Sequence, residues 1–278
     1  MLVLIFCLLS LQSLGQNINK KYSLPGFVQL NDTLFISIVE LDIREYGRFL
    51  VIWRERSGDS DFMRKALPSP DYLGWTYWDN YRKELLTYSD LYEIVDKDRL
   101  TNQPKDTAIS FIGWISNWPI VNVTKQQANL YCEFRTKDYE FFYNSQKKKK
   151  KEKYPANLVF RLPTTNEWIM AASSMLDTAT YKFGVVDYNQ KYSKPVCAET
   201  FIGDSTGQSH PYSVAYGQIN KSGIINMCGN VAELVSDSDF VYGGSYTDSS
   251  KNCTITSRQL FVEPKNNIGF RVVAVIRN

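Results

Sequence analysis

The sequence is poor in the residues from which most metal and triad chemistry is built. Its single histidine, His210, excludes iron or zinc sites made of two or three histidines and leaves one candidate for a histidine-dependent triad. Five cysteines are present, Cys7, Cys132, Cys197, Cys228 and Cys253, but none stands in a CxxC or Cys/His spacing, which removes the usual structural zinc patterns. There is no internal repeat and no obvious linker. Net charge is only +3 and the basic balance is local, concentrated at 147–151, so basicity makes no case for nucleic acid. What is plentiful is apolar surface: 44% hydrophobic and 14% aromatic residues supply a packed core and exclude global disorder.

The first fifteen residues read as a signal peptide. Residues 2–11 are apolar and uncharged, long enough for a signal-peptide core and too short for a membrane span. Ser13-Leu14-Gly15 then supplies small residues for cleavage before Gln16. A basic n-region is missing, and the alternative is a buried first strand. Cys7 has no lipobox-like ending after it, so lipid attachment is not expected. Export is the expectation, to a secreted or periplasmic location where disulfides are permitted. Three pairings are open to the remaining four cysteines, with Cys132 and Cys228 reading as buried thiols among apolar neighbours.

Three segments carry capping-box spacing followed by an apolar stripe. Asp42 and Glu45 open a stretch with Ile43, Tyr46, Phe49, Leu50 and Trp53 on one face. Thr124 and Gln127 precede Ala128, Tyr131 and Cys132, and Thr164 and Glu167 precede Trp168, Ala171, Ala172 and Met175. Short β-prone runs occur at 33–39, 158–162 and 268–276, the last a terminal strand. Residues 177–223 are loop-like, and 56–118 are aromatic without clear periodicity and read as an insertion. The lysine-rich 144–157 stretch reads as a solvated surface loop in preference to a site for anionic lipid or polymer. Few regular elements joined by long loops predict one α+β domain over 16–278.

Three ordered motifs carry a family resemblance. Pro119-Ile-Val-Asn-Val-Thr with Ala128-Asn-Leu-Tyr-Cys132 is similar to the "P-V-x-x-V-[ST]…A-x-x-Y-C" helix of the formylglycine-generating, or sulfatase-modifying, enzymes. Arg161-Leu-Pro-Thr-Thr-Asn-Glu-Trp168 resembles their "R-L-P-T-E-A-E-W". Asn226-Met-Cys-Gly-Asn-Val-Ala-Glu233, Gly243-Gly-Ser-Tyr246 and Gly269-Phe-Arg-Val272 resemble "G-N-V-W-E-W", "G-G-S" and "G-F-R". Order and spacing match from about Phe27 onward. The implied fold is an elaborated C-type-lectin-like α+β domain, low in regular structure. The aromatic stretch 67–85 resembles the branch that includes gliding-motility and secretion-associated lipoproteins.

The resemblance also implies chemistry. These enzymes oxidise a substrate cysteine with copper and oxygen, the copper held by two thiolates five residues apart after the Gly-Gly-Ser, because Cu(I) prefers soft sulfur. Ser245 matches the family serine and Cys253 the second thiol, but the first thiol position is Asp248 and the aromatic of "G-N-V-W-E" is Ala232. A hard carboxylate suits Cu(I) poorly, so copper and the oxidase reaction are not expected. The resemblance further implies calcium, held by the side chains of Asn226 and Glu233 and the carbonyls of Gly229 and Val231, an oxygen-only set that suits the ion. A second calcium loop would include Asp204 and the carbonyl of Thr206. The leading functional expectation is a non-catalytic interaction or assembly module with a cell-envelope protein partner, without nucleic acid or a membrane span. The alternatives are a copper oxidase with altered ligands and a carbohydrate- or peptide-binding module using Trp75, Tyr77 and Trp78.

Overall fold

In the computed structural model, which describes residues 22–58, 61–68, 76–78, 83–85, 117–174, 176–185, 194–199 and 210–277, helices begin where side-chain oxygens take up first-turn amides. The signal segment 1–15, Trp75, Met175, Asp204 and Thr206 lie outside these residues. Helix α1 (Ile43–Ser57) starts at Asp42, whose Oδ1 accepts the Glu45 amide at 2.7 Å. Its box is only half made, because the Glu45 carboxylate pairs with Arg48 at 2.9 Å. A short helix α2 (Phe62–Ala66) follows. The reciprocal boxes expected at Thr124 and Thr164 are both complete, and open α3 (Lys125–Ser145) and a later helix of nine residues. Between them Lys148–Lys151 forms one exposed turn, α4, within the lysine-rich loop. The nine-residue helix is α5 (Thr165–Ser173), ended by Ser174 in a left-handed conformation.

The strands in chain order are β1 (Phe27–Gln29), β2 (Leu34–Ser37), β3 (Thr76–Trp78), β4 (Lys83–Leu85), β5 (Leu158–Arg161), β6 (Ala232–Leu234), β7 (Phe240–Tyr242), β8 (Arg258–Leu260), β9 (Ile268–Gly269) and β10 (Val273–Ile276). One antiparallel sheet runs β1-β2-β10-β5 and a second runs β8-β7-β6-β9, its last pair parallel. Strands β3 and β4 pair separately. The 268–276 run is therefore two strands belonging to different sheets, and Phe270, Arg271 and Val272 carry the chain from one to the other.

Both faces of the first sheet are covered, which is why β2 is buried at every position. Phe35 and Ala274 face a cluster with Tyr46, Phe49, Phe62, Tyr131, Phe134 and Phe160, supplied mainly by α1, α2 and α3. Leu34, Ile36 and Val273 face the other way, onto Trp168, Ile224, Met227 and Tyr242. Phe49 is the hub of the first cluster, with ring centroids 5.1–5.7 Å from Tyr46, Phe62, Tyr131 and Phe134. The Tyr46 hydroxyl donates to the Ala66 carbonyl at 2.7 Å and Gln127 Nε2 to that of Leu67 at 2.6 Å. The beginning of the 56–118 segment is thus core-forming, which its irregular apolar spacing hid.

Candidate functional site

The motif residues converge in two polar clusters. The first surrounds Arg271, which is fully buried on the chain between β9 and β10. Its Nε donates to both Glu233 oxygens at 2.8 and 2.7 Å and its Nη2 to Oε1 at 2.6 Å. The guanidinium also donates to the carbonyls of Ser37 at 3.1 Å and Ile225 at 2.9 Å. Trp168 Nε1 adds a hydrogen bond to Glu233 Oε2 at 2.7 Å. One guanidinium thereby joins β6, the end of β2 and the loop before Asn226. Such burial is tolerated only because every polar atom finds a partner.

A second buried carboxylate, Glu40, stands close by. It accepts from Asn230 Nδ2 at 2.9 Å and lies 3.5 Å from Asn226 Nδ2. One guanidinium cannot neutralise two carboxylates. Burial pushes the Glu40 carboxyl up to about 8, Arg271 opposes the shift and Glu233 adds to it. The sequence reading passed over Glu40. The signal available was an acid set in the apolar run Ile36 to Leu41, where a carboxylate needs a buried partner.

This arrangement bears on the expected calcium site. Glu233 does not face a space among oxygen ligands; its carboxylate is taken by Arg271 and Trp168. Arg271 stands between that carboxylate and the carbonyls of Ile225 and Asn226, so the positive charge expected of calcium is supplied by the protein. Asn226 retains one calcium-like feature, a buried Oδ1 that accepts no hydrogen bond. Its Nδ2 meanwhile donates to the Tyr216 carbonyl at 2.8 Å. The Gly229 amide donates to the Gly243 carbonyl at 2.9 Å, and Val231 is buried in the same turn. One orphaned oxygen beside a carboxylate already paired with arginine does not fit a calcium ion.

The second cluster is the loop from Gly243 to Cys253. Gly243 and Gly244 both have left-handed backbones, φ +93° and +71°, and a Cβ on Gly244 would lie 2.2 Å from the Asn252 carbonyl oxygen. That tight passage buries Ser245 completely. The Ser245 amide and Oγ donate to Asp248 Oδ2 at 2.9 and 2.6 Å, and the Asp248 amide returns to the Ser245 carbonyl at 3.0 Å. Asn267 Nδ2 bridges Ser245 Oγ at 3.2 Å and Thr247 Oγ1 at 2.8 Å. Asp248 thus closes a turn.

Cys253 is also fully buried, its Sγ donating to the Ser245 carbonyl at 3.3 Å. Hydrogen-bond contact with the Cys197 thiol, followed by burial, pushes the Cys253 thiol far above its usual range, so the nucleophilic thiolate is strongly disfavoured. A shallow pocket of about 420 Å³ lies alongside, lined by Gly244, Asp248, Asn252, Thr256, Ser257, Arg258 and Gln259. Neither Ser245 nor Cys253 lines it. The copper pair expected from the resemblance is therefore one buried thiol and one carboxylate engaged with serine, a poor fit for Cu(I).

The other candidates disperse. His210 stacks on Trp118 with ring centroids 4.6 Å apart and does not meet the Ser245 loop in any hydrogen bond of the described residues. Cys132 lies on α3 in the first core cluster and Cys228 in the second, both with thiols raised by burial. Tyr77 and Trp78 fall on β3, with side chains outside the description. Among the described residues no group of three His, Cys, Asp or Glu side chains gathers as metal ligands, and no helix is long and apolar enough to cross a membrane.

Comparison with known proteins agrees with this architecture. A family model described as the sulfatase-modifying factor enzyme 1-like domain matches residues 28–276. No curated protein sequence matches the chain. Among solved structures, CarF is similar at 18% identity and TM-score 0.51, over 92% of this chain and 95% of that one. PvdO from Pseudomonas aeruginosa has 14% identity and TM-score 0.49, over 87% and 80%. Treponema denticola variable protein 1 has 16% identity and TM-score 0.47, over 88% and 84%.

Proposed function

This chain belongs to the sulfatase-modifying factor enzyme 1-like family, and from that membership we propose that it works without oxidase chemistry, as an exported interaction or assembly module of the cell envelope. One observation carries the non-catalytic reading: Asp248 is hydrogen-bonded to Ser245, and the Cys253 thiol is buried against the Ser245 carbonyl, away from the neighbouring pocket. The frame that positions the loop is intact while its reactive groups are engaged with one another. Export rests on the apolar segment 2–11 and the small residues before Gln16. The likeness of 67–85 to gliding-motility and secretion-associated lipoproteins makes those assemblies the first place to seek a protein partner.

One observation favours the rival reading of an oxidase with altered ligands: Cys197 brings a second sulfur to Cys253. Copper titration with oxygen uptake on a cysteine peptide separates the two. The expected result is no stoichiometric Cu(I) and no formylglycine, and one-to-one copper with oxygen consumption overturns the proposal. Affinity capture from native envelope should recover a protein partner, and N-terminal sequencing of exported material should begin at Gln16. An intact Met1 terminus on folded protein outside the cytoplasm contradicts the export step.

A further inference from the structure

Cys197 and Cys253 are 56 positions apart in the chain, yet the Asp248 carbonyl meets both the amide next to Cys197 and the Cys253 sulfur, and the Cys197 thiol acts on that of Cys253 to raise it. The contact is held by backbone on both sides. The Asn230 amide donates to the Val196 carbonyl at 2.8 Å, and the Ala198 amide donates to the Asp248 carbonyl at 2.8 Å. Cys253 Sγ leans on that same Asp248 carbonyl at 4.0 Å. Glu199 adds a further link, accepting the Ser250 amide at 2.7 Å and the Cys197 S–H at 3.3 Å. The segment carrying Cys197 is therefore clamped between the Gly229 turn and the Ser245 loop, beside the chain that carries Cys253. Cys132, on α3, and Cys228, in the second core cluster, make no sulfur hydrogen bond of this kind among the described residues.

We infer that Cys197 and Cys253 form a disulfide, a cross-link between the 194–199 segment and the Ser245 loop, with a small-molecule or protein disulfide as oxidant. A disulfide needs Cβ atoms about 3.8 Å apart and a bond of about 2.05 Å, which requires the two backbones to be held side by side, as the Asp248 carbonyl holds them here. The order of steps follows from the surroundings. Both sulfurs are fully buried, so the oxidant RSSR meets them before the loop closes or when it opens; Cys197 then hands its proton to the exposed Glu199 carboxylate and attacks RSSR, giving Cys197–S–SR and one thiolate RS⁻. Cys253, deep and held as a thiol, loses its proton last; its sulfur attacks Cys197 Sγ and displaces the second RS⁻. Two cysteine thiols lose two electrons and two protons in all, and RSSR becomes two RSH. The link leaves Cys253 no thiol to offer a metal or a substrate, and it can form whether or not the domain has any partner.

The test is thiol counting and peptide mapping on the whole protein, refolded with oxidised and reduced glutathione and compared with fully reduced protein. The expected result is two fewer titratable thiols per chain, one mapped bridge between the peptides of Cys197 and Cys253, and a melting temperature several degrees above that of the reduced form. Cys132→Ser and Cys228→Ser should keep the bridge; Cys197→Ser should remove it together with the oxidation-dependent rise in melting temperature. Unchanged thiol counts after oxidation, or a bridge mapped to Cys132 or Cys228, overturns the inference. The reading needs no copper and no activity, so its failure is distinct from failure of the non-catalytic proposal.

Discussion

The Arg271 cluster and the Ser245 loop are both buried polar networks built from motif residues, but they span the chain very differently. Arg271 bonds Glu233, Ile225 and Ser37, partners 38, 46 and 234 positions away. In the loop, Ser245 and Asp248 bond each other three positions apart. The first network therefore holds sheets together, whereas the Ser245–Asp248 pair shapes a single turn. Substitution in the second can change chemistry and leave the fold standing, and on the non-catalytic reading proposed above Asp248 is such a substitution. Losing a member of the first would cost the whole domain.

The largest expected effect tests that contrast directly. Arg271→Ala leaves the buried Glu233 charge unpaired, and should destabilise the fold by about 3–5 kcal/mol in denaturant unfolding. A loss under about 1 kcal/mol would place the keystone elsewhere. Glu40 gives the next effect, through pH. Its folded carboxyl, near 8, lies above the ordinary 4.5, so the folded state binds the proton more tightly. The linked stability is fully present below about pH 4.5 and is lost as pH rises through about 8. Glu40→Gln keeps an acceptor for Asn230 and removes the titration. The unmutated protein should lose on the order of 2–4 kcal/mol between about pH 5 and 9 relative to the variant; parallel profiles would show that Glu40 is ionised when folded.

Within the loop the effects should be smaller. Gly244→Ala forces a side chain onto a left-handed backbone and against the Asn252 carbonyl, a cost of about 1–3 kcal/mol. Asp248→Ala removes the acceptor of both the Ser245 amide and Oγ; Oγ keeps Thr247 and Asn267 while the buried amide loses its partner, a cost of about 1–2 kcal/mol. If Asp248→Ala were as damaging as Arg271→Ala, the contrast between frame and loop would fail. Smallest of all is calcium: with Arg271 supplying the charge at Glu233, millimolar calcium and chelator should give equal melting temperatures, and a rise of several degrees with calcium would return Asn226 and Glu233 to the ligand list.

What could be read from sequence divides along the same line as the two networks. The boxes at Thr124 and Thr164 were legible because donor and acceptor lie three residues apart, inside the reach of a spacing rule. Asp42 met the same rule and completed only half of it, since Arg48 competed for Glu45. The frame was legible through ordered motifs, whose likeness stands for many contacts at once. Glu233 was recognised as a site residue while its arginine partner was not, because no local pattern distinguishes a calcium ligand from the partner of an arginine 38 positions on. Glu40 showed only as an acid in an apolar run, and the meeting of the Cys197 segment with Cys253 left no trace in spacing. Both are products of chain crossing, which a linear pattern does not encode.

The place of Arg271 between β9 and β10 also has a consequence in time. Strand β10 lies between β2 and β5, and β9 borders β6, so both sheets wait for residues 268–276. A ribosome delivers those residues after nearly all the others. Until they emerge, β2 and β5 have no strand between them and Glu233 has no guanidinium. The domain should therefore remain open, and available to chaperones, until those residues have emerged. Stalled chains ending at residue 267 should be digested rapidly by protease, and chains released with residues 268–276 should resist it; resistance at the shorter length would mean that the domain closes before its last strands arrive.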